Sequence, residues 1–369
     1  TDGIGPAQNA ALVIASSARD LARDPDAAAL YLDDGQWPKG SGWTALADQR
    51  LDQSKMAETL EQLAREGEEA FYRGDIAAAL VRDVTDKGGF LSMDDLRDYS
   101  ATWSDPLSIP FRDGTVFAMP GLTAGPTLAN ALAHWQDGYD AADADSPAAY
   151  VARTNGLRAA YADRLTNMGD HDSAKAPGCT THFSIVDSAG NMVSMTQTLL
   201  SIFGSKVVSP STGLNLNNGI MWFDPEPGKP NSLAAGKACL MNVCPVVGET
   251  PTRRFALGAS GGRKIMPAVA QISGHLIEQG MSMQDAVEAP RLDASGGAQV
   301  VADERLAGPV ADALADNFPL ALAQRLPFPF AFACPAGVMR EGTTNSGTTE
   351  TMSPWGDGVA EPEPKKASE

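Results

Sequence analysis

The segment from Thr180 to Thr198, TTHFSIVDSAGNMVSMTQT, has the pattern of a β-hairpin. Two runs rich in β-branched and apolar residues, Thr181–Val186 and Met192–Leu199, flank a DSAGN segment that is rich in turn-forming residues. Gly190 in that segment is free to take the positive φ that a three-residue hairpin loop needs. The sequence therefore predicts two antiparallel strands joined by a tight turn.

The turn also determines which residues face each other across the hairpin. Pairing Asp187 with Asn191 closes the loop. Carried along the ladder, this register places Thr180 opposite Thr198, with Cβ atoms about 4.5–5.5 Å apart, close enough for the two hydroxyls to hydrogen-bond. Side chains alternate between a polar and an apolar face. The polar face comprises Thr180, His182, Ser184, Ser194, Thr196 and Thr198, and the apolar face Phe183, Ile185, Val193 and Met195.

A threonine at the head of a strand, with a hydroxyl partner across the ladder, is the arrangement that an N-terminal nucleophile needs. If the bond before Thr180 is cut, the new α-amino group can take the proton from the residue's own Oγ. The threonines could instead have a purely structural role, because threonine is common in β-sheets.

A second candidate site is FALGASGG, residues 255–262, a short strand that runs into a glycine turn. The following helix carries an apolar stripe (Met266, Val269, Ile272, Leu276) and is predicted to end at Gly280. Backbone N–H groups at such a turn can stabilise an oxyanion. The same residues also spell G-x-S-x-G, the nucleophile elbow of serine hydrolases, with Ser260 as nucleophile. Against that, His275 lies on the helix that would follow the elbow. A purely structural turn is the third interpretation.

Composition excludes several classes of function. The chain has 369 residues and a formal net charge of −18, so it offers no basic patch for nucleic acid or anionic membrane. No apolar run approaches the ~18 residues of a membrane span. The four cysteines have no zinc spacing, and no cluster suggests a metal or organic cofactor. Free buried thiols are favoured over a Cys239–Cys244 disulfide.

Other segments predict a mixture of helices and strands. Helices are expected over Lys55–Glu68, Asp75–Asp86 and Ala148–Asn167, with a short helix capped by Ser92. A second hairpin is expected over Pro106–Phe111 and Thr115–Met119. Residues 169–179 are predicted to form an exposed loop, where a precursor could be cut immediately before Thr180.

Residues 180–218, TTHFSIVDSAGNMVSMTQTLLSIFGSKVVSPSTGLNLNN, resemble the start of the small subunit of γ-glutamyltranspeptidases (glutathione hydrolases). The resemblance continues through PGKPNSLAAGK, GASGGRKI and TMSPWGDGVAE, and upstream through FYRGDIAAALV, GGFLSMDDLRDY and AAYADR. It implies an α+β fold, the four-layer αββα sandwich of N-terminal nucleophile hydrolases. It also implies autocatalytic cleavage of a zymogen into two subunits.

The resemblance assigns roles residue by residue. Cleavage would fall between Cys179 and Thr180, and Thr180 would be the nucleophile. Thr198 would orient or activate it, and Gly261 and Gly262 would supply the oxyanion N–H groups. Candidate substrate-binding positions are Asn218, Trp222, Asn242 and Ser260.

Several of these positions depart from the glutamyl-transferring members. Leu200 stands where an Asn usually follows the second threonine. Trp222 replaces the carboxylate that pairs with the donor's ammonium, and Asp224 could substitute for it only if the backbone stays extended. Met241 and Asn242 replace the two serines that bind the donor carboxylate. Because a buried ammonium without its partner is strongly disfavoured, the sequence predicts hydrolysis of another amide, as in the cephalosporin-acylase-like relatives.

The resemblance also divides the chain. Residues 1–179 correspond to the C-terminal part of the large subunit and residues 180–369 to the small catalytic subunit, with 361–369 expected to be a disordered tail. The N-terminal part of the large subunit is expected to be missing, which would leave unpaired strand edges and an exposed apolar face.

The predicted activity is that of a γ-glutamyltransferase-like amide hydrolase or acyltransferase, acting on a small γ-glutamyl or acyl amide through a threonyl ester. Its partners would be that substrate and the processed subunit of the same precursor; a homodimer is left open. A non-maturing relative that acts as a binding protein, and a serine hydrolase using Ser260, are the alternatives. The resemblance indicates a periplasmic or secreted protein, with a cytoplasmic location also left open.

Overall fold

The computed structural model describes residues 8–39, 50–168, 178–327 and 331–360. The chain divides into two compact units. One comprises the chain up to Trp103 together with Leu199–Gly219, and the other Ser104–Thr198 together with the chain from Ile220 onward. The tail 361–369 and residues 169–177 of the predicted loop lie outside the described ranges. The last two residues of that loop, Gly178 and Cys179, were wrongly predicted, because they already belong to the strand Gly178–Val186.

The first unit is mainly helical. Apolar residues on its first two helices, among them Ile14, Leu21 and Tyr31, form one of its small cores. Helices α1 to α6 are Gln8–Leu21, Pro25–Tyr31, Ser54–Glu66, Glu68–Tyr72, Asp75–Asp86 and Met93–Arg97, and strands β1 and β2 are Leu32–Asp33 and Trp37–Pro38.

The helices predicted in this unit are confirmed, with one boundary moved. α3 ends earlier than expected, because Gly67 adopts a φ of 75° and α4 begins after it. α5 has the predicted bounds. α6 begins with a capping box: Ser92 Oγ accepts from the Asp95 N–H at 3.2 Å, and Asp95 Oδ2 accepts from the Ser92 N–H at 2.8 Å.

The second unit contains a six-stranded antiparallel sheet with strand order β13-β12-β8-β7-β4-β3. It also contains a three-stranded sheet, β11-β10-β9, and the two-stranded pair β5–β6, of which β6 belongs to this unit up to Thr198. The hairpin predicted near residues 106–119 is confirmed as β3–β4. Strands β3 to β13 are Leu107–Phe111, Gly114–Ala118, Gly178–Val186, Met192–Ser201, Val246–Glu249, Arg253–Ser260, Leu292–Asp293, Val300–Asp303, Leu320–Ala323, Cys334–Glu341 and Thr344–Thr349.

In the described part of this unit the helices are α7 to α11, and α9, Ile265–Glu278, lies at the centre of its core. Every residue from Ile265 to Ile277 is buried, which is the pattern of a helix enclosed on all sides. α8 ends before the predicted Asn167, and a π-helical turn, Arg164–Met168, follows it. Helices α7 to α11 are Gly125–Gly138, Pro147–Asp163, Ile265–Glu278, Met283–Glu288 and Pro309–Asn317.

The last residue of α9 forms a buried ionic cluster. The Glu278 side chain is fully buried and accepts from Arg112 Nε and Arg153 Nη2, both at 2.8 Å. The Tyr139 hydroxyl donates to the same carboxylate at 2.9 Å. Buried charges need this degree of pairing, so the cluster joins β3–β4, α7 and α8 to the end of α9.

Among the described residues, no helix has the length and apolar character needed to cross a membrane. Cys239, Cys244 and Cys334 are free thiols, as favoured from the sequence, but only Cys244 is buried.

Candidate active site

Strands β5 and β6 form the predicted hairpin. Its turn is closed by the Asp187 N–H donating to the Asn191 carbonyl and the Gly190 N–H donating to the Asp187 carbonyl, both at 3.1 Å. Gly190 has a φ of 89°, the positive value expected for the loop. The pairing of Asp187 with Asn191 is thus confirmed, and with it the register of the ladder.

The register places the two candidate catalytic hydroxyls in contact. Thr180 Oγ1 and Thr198 Oγ1 are 3.2 Å apart. At the next pair on the same face, two residues along the strand, Thr196 Oγ1 lies 2.8 Å from His182 Nδ1. The polar face therefore carries two neighbouring groups of hydrogen-bonded side chains, Thr180 with Thr198 and His182 with Thr196 and Ser184.

This polar face points inward, toward the six-stranded sheet. Ser194 Oγ donates to the Leu257 carbonyl of β8 at 2.9 Å, and β5 packs on β8 and β12. The apolar face points outward. The exposed fractions of its four residues, Phe183, Ile185, Val193 and Met195, are 37%, 52%, 47% and 44%.

His182 is held as a neutral imidazole. Burial lowers the pKa of His182 to about 4, because an imidazolium there would lose its hydration. Its second ring nitrogen, Nε2, lies 2.9 Å from Ser184 Oγ. Both nitrogens are therefore occupied within the hairpin.

The glycine turn follows β8. Gly261 has a φ of 140° and Gly262 a φ of 62°, values that favour glycine. A Cβ on Gly261 would also lie 2.9 Å from Ala333 Cα. A short 3-10 turn, Gly262–Lys264, then leads into α9, and β5 runs beside that turn. The strand that carries Thr180 and the candidate oxyanion turn are thus neighbours.

Among the residues that the structure describes, neither His182 nor His275 is hydrogen-bonded to Ser260, the last residue of β8. His275 lies on α9, about 15 Å along the helix axis from its first residue. The His275 Nδ1 atom lies 2.7 Å from Gln279 Oε1, and burial lowers the pKa of His275 to about 4. The elbow interpretation therefore has no support from this geometry.

The position that the resemblance associates with the donor ammonium lacks a free carboxylate. Trp222 ends a 3-10 turn, and its carbonyl accepts from Asn231 Nδ2 at 2.5 Å. The backbone does not continue as an extended strand, and Asp224 is turned into its own loop. There its carboxylate pairs with Lys229 at 3.2 Å and accepts from the Glu226 N–H at 2.9 Å.

Asn242 is held by a residue that the sequence analysis did not single out. Its Oδ1 accepts from Arg164 Nη2 at 3.1 Å, and the same nitrogen donates to the Met241 carbonyl at 2.9 Å. Arg164 is almost fully buried. Arg164 closes the AAYADR segment, whose resemblance to the family and place at the end of a long helix are the signals that could have found it.

Tyr161, from the same segment, holds the glycine turn. The Tyr161 hydroxyl donates to the carbonyl of Arg263, the residue after Gly262, at 2.5 Å. Burial raises the pKa of Tyr161 well above its usual value, so the phenol stays protonated and remains a donor.

The remaining site residues are placed as follows. Asn218 belongs to the first unit, where its N–H donates to the Leu199 carbonyl at 2.9 Å and its Nδ2 to Ser201 Oγ at 3.1 Å. Cys179 lies in β5 directly before Thr180. Within the described residues, no group of His, Cys, Asp and Glu side chains is arranged to hold a metal ion.

The sequence is similar to those of several known acylase and glutathione hydrolase proenzymes. The sequence is 32% identical over 321 residues to the acylase ACY 1 proenzyme of Pseudomonas sp. (strain V22), covering 77% of this chain and 56% of that protein. It is 29% identical over 297 residues to the glutathione hydrolase proenzyme of Escherichia coli (strain K12), covering 65% of this chain and 50% of that protein. The chain thus spans about half the length of these relatives.

The crystal structure of cephalosporin acylase from Bacillus halodurans superposes with a TM-score of 0.80 at 23% identity, covering 95% of this chain and 70% of that one. The predicted fold class, α+β of the N-terminal nucleophile hydrolase type, is confirmed. The profile of the gamma-glutamyltranspeptidase family matches residues 1–179 and 173–325. The chain therefore belongs to the gamma-glutamyltranspeptidase family.

Proposed function

We propose that this chain is the catalytic part of a self-cleaving amide hydrolase whose nucleophile is Thr180. The observation that carries the proposal is the contact between Thr180 Oγ1 and Thr198 Oγ1, at the end of a strand that runs beside the glycine turn. Family membership supports amide hydrolysis or acyl transfer in general. The choice of nucleophile and the preference for hydrolysis are our inference.

Maturation would start from the uncut chain, in which the nitrogen of Thr180 is still an amide. Thr180 Oγ attacks the carbonyl carbon of Cys179, an ester forms, and the peptide nitrogen becomes the free amine of Thr180. Water then hydrolyses the ester and releases the carboxylate of Cys179. The hydroxyl of Thr198 is placed to exchange a hydrogen bond with the attacking oxygen.

Turnover would repeat this chemistry on a substrate. Thr180 Oγ attacks the substrate carbonyl, and the new α-amine takes its proton and passes it to the leaving amine. Negative charge on the carbonyl oxygen is stabilised by the N–H groups of Gly261 and Gly262. Removing such a donor typically costs roughly 10²–10³ in rate. Water then hydrolyses the acyl ester and regenerates the threonine.

The substrate we infer is an acyl amide without an α-ammonium group. Asp224 is occupied by Lys229 and its own loop, and Trp222 stands where the resemblance expects a carboxylate. An ammonium bound there would lose its hydration without gaining a partner.

Two anilides that differ only in the amino group test this choice. Glutaryl-p-nitroanilide is γ-glutamyl-p-nitroanilide without its ammonium. We expect kcat/KM to favour the glutaryl compound at least about tenfold, which corresponds to about 1.4 kcal/mol. A preference for the γ-glutamyl compound would refute the inferred substrate class while leaving the nucleophile untouched.

The nucleophile is tested by mass spectrometry and N-terminal sequencing of the purified chain. We expect a fragment that begins at Thr180, and its loss in Thr180→Ala. Thr181→Ala is the matched control, because Thr181 is exposed and should be dispensable for cleavage and turnover. A wild-type chain that stays intact and inactive on both anilides would instead favour a binding protein.

A further inference from the structure

The ring of His182 packs directly against the backbone of Gly258 in β8. A Cβ at residue 258 would lie 2.3 Å from Cε1, 2.4 Å from Nδ1 and 2.8 Å from Nε2 of that ring. Because real Cβ atoms do not approach other atoms so closely, only glycine leaves room for the imidazole. At this point the hairpin therefore contacts the sheet through the His182 ring, which packs on the side-chain-free backbone of Gly258.

The ring is also fixed from the hairpin side. Thr196 Oγ1 and Ser184 Oγ lie 2.8 and 2.9 Å from its two nitrogens. With both nitrogens bonded and one ring face against Gly258, the imidazole cannot rotate without breaking a contact. Its thickness therefore sets how closely β5 approaches β8 at this point.

This contact lies close to the chemistry on both strands. His182 follows Thr180 by two residues on the same polar face, and Gly258 lies on β8, three residues before Gly261 in the turn that follows that strand. Two hydrogen bonds that also fasten the hairpin lie nearer its turn. Asn345 Nδ2 donates to the Asp187 carbonyl at 3.0 Å, and Ser194 donates to the Leu257 carbonyl.

We propose that His182 is a positioning residue, which with Gly258 sets the gap between the Thr180 hydroxyl and the N–H groups of the glycine turn. The inference rests on the proposed function. A misplacement of about 1 Å at a reacting group can cost about 10²-fold in rate. A change in this gap should therefore slow the attack of Thr180 more than it weakens substrate binding.

Three single variants distinguish the effect of the thickness of the His182 ring from the effect of its hydrogen bonds. Gly258→Ala pushes the ring away from β8. His182→Phe keeps an aromatic ring and removes both hydrogen bonds. His182→Gln keeps a hydrogen-bonding group and removes the ring. We expect kcat to fall about 10–100-fold in Gly258→Ala and His182→Gln with KM changed less than about threefold, and a smaller loss in His182→Phe.

The double variant Gly258→Ala/His182→Ser supplies the decisive comparison. The smaller side chain makes room for the new methyl group, so kcat should recover relative to Gly258→Ala alone. Self-cleavage rate, kcat, KM and melting temperature are measured for every variant. A merely structural contact would lower the melting temperature but leave kcat per folded enzyme at the wild-type value.

The outcomes are distinguishable. A wild-type chain that neither cleaves itself nor hydrolyses either anilide refutes the proposed function, and with it any positioning role. An active wild type whose folded variants all keep kcat within twofold overturns the role of His182 alone. If Gly258→Ala yields no folded protein, His182→Gln decides by the same criterion.

Discussion

Acidification from pH 7 to pH 5 should weaken the fold through His182. Burial lowers the pKa of His182 to about 4, from the usual histidine value of 6.5. Between these two values the unfolded chain binds a proton that the folded chain excludes. Stability therefore falls as the pH falls through this window.

The size of the effect follows from the two pKa values. At pH 5 a histidine with a pKa of 6.5 is almost fully protonated, whereas one with a pKa of about 4 is only about one-tenth protonated. The resulting loss of unfolding free energy between pH 7 and pH 5 is about 2 kcal/mol. His275, also lowered to about 4 by burial, should add a similar loss, so the contribution of His182 must be isolated by substitution.

Urea titrations at pH 7 and pH 5, followed by tryptophan fluorescence, measure the effect. All chains carry Thr180→Ala, so that each stays in one piece. His182→Gln retains every other titratable group, and its loss of stability on acidification should be about 2 kcal/mol smaller than that of the parent. His134→Gln, at an exposed position, is the matched control and should follow the parent. Equal losses in the parent and in His182→Gln would refute the claim that His182 is held neutral.

Three further changes test other parts of the structure. Glu278→Gln should lower the unfolding free energy by about 3–5 kcal/mol in urea titrations, because the buried Arg153 and the partly buried Arg112 lose their counter-charge, whereas Glu341→Gln in an exposed pair should cost less than about 1 kcal/mol. Tyr161→Phe removes the donor to the Arg263 carbonyl and should lower kcat about tenfold or more with little change in KM. An unchanged kcat would show that the glycine turn keeps its conformation without this hydrogen bond. Trp222→Asp should raise the ratio of γ-glutamyl to glutaryl turnover in the anilide assay, and an unchanged ratio would exclude this position from substrate recognition.

The hairpin could be predicted because its determinants are local. The turn residues and the period-two alternation fixed the register, and the register alone placed Thr180 next to Thr198. The capping box at Ser92 and the hairpin β3–β4 were predictable for the same reason. The early end of α3 was missed, although Gly67 is a visible signal, because apolar periodicity continues beyond it.

Contacts between distant segments could not be predicted. Arg164 reaches Asn242, and Tyr161 reaches Arg263, through the packing of α8 near the glycine turn. The alternation of polar and apolar residues along a strand also does not show which of its two faces packs against the rest of the protein. Here the polar face is the inward one, which is stable only because partners such as the Leu257 carbonyl satisfy its hydroxyls.

Not every departure from the family pattern concerns the substrate. Backbone conformation and burial distinguish the departure at Leu200 from the one at Trp222. Leu200 has a φ of 73°, a region that Asn tolerates better than Leu. The strain costs roughly 1–2 kcal/mol. The side chain is 9% exposed, and burying a leucine contributes about 1.5–3 kcal/mol, so packing alone can account for Leu at this position. A gain from packing does not explain Trp222 in the same way, because its side chain is only half-buried. Asp224 does not replace the missing carboxylate, since it pairs with Lys229. The change at residue 222 is therefore the stronger evidence for an acyl group without an ammonium.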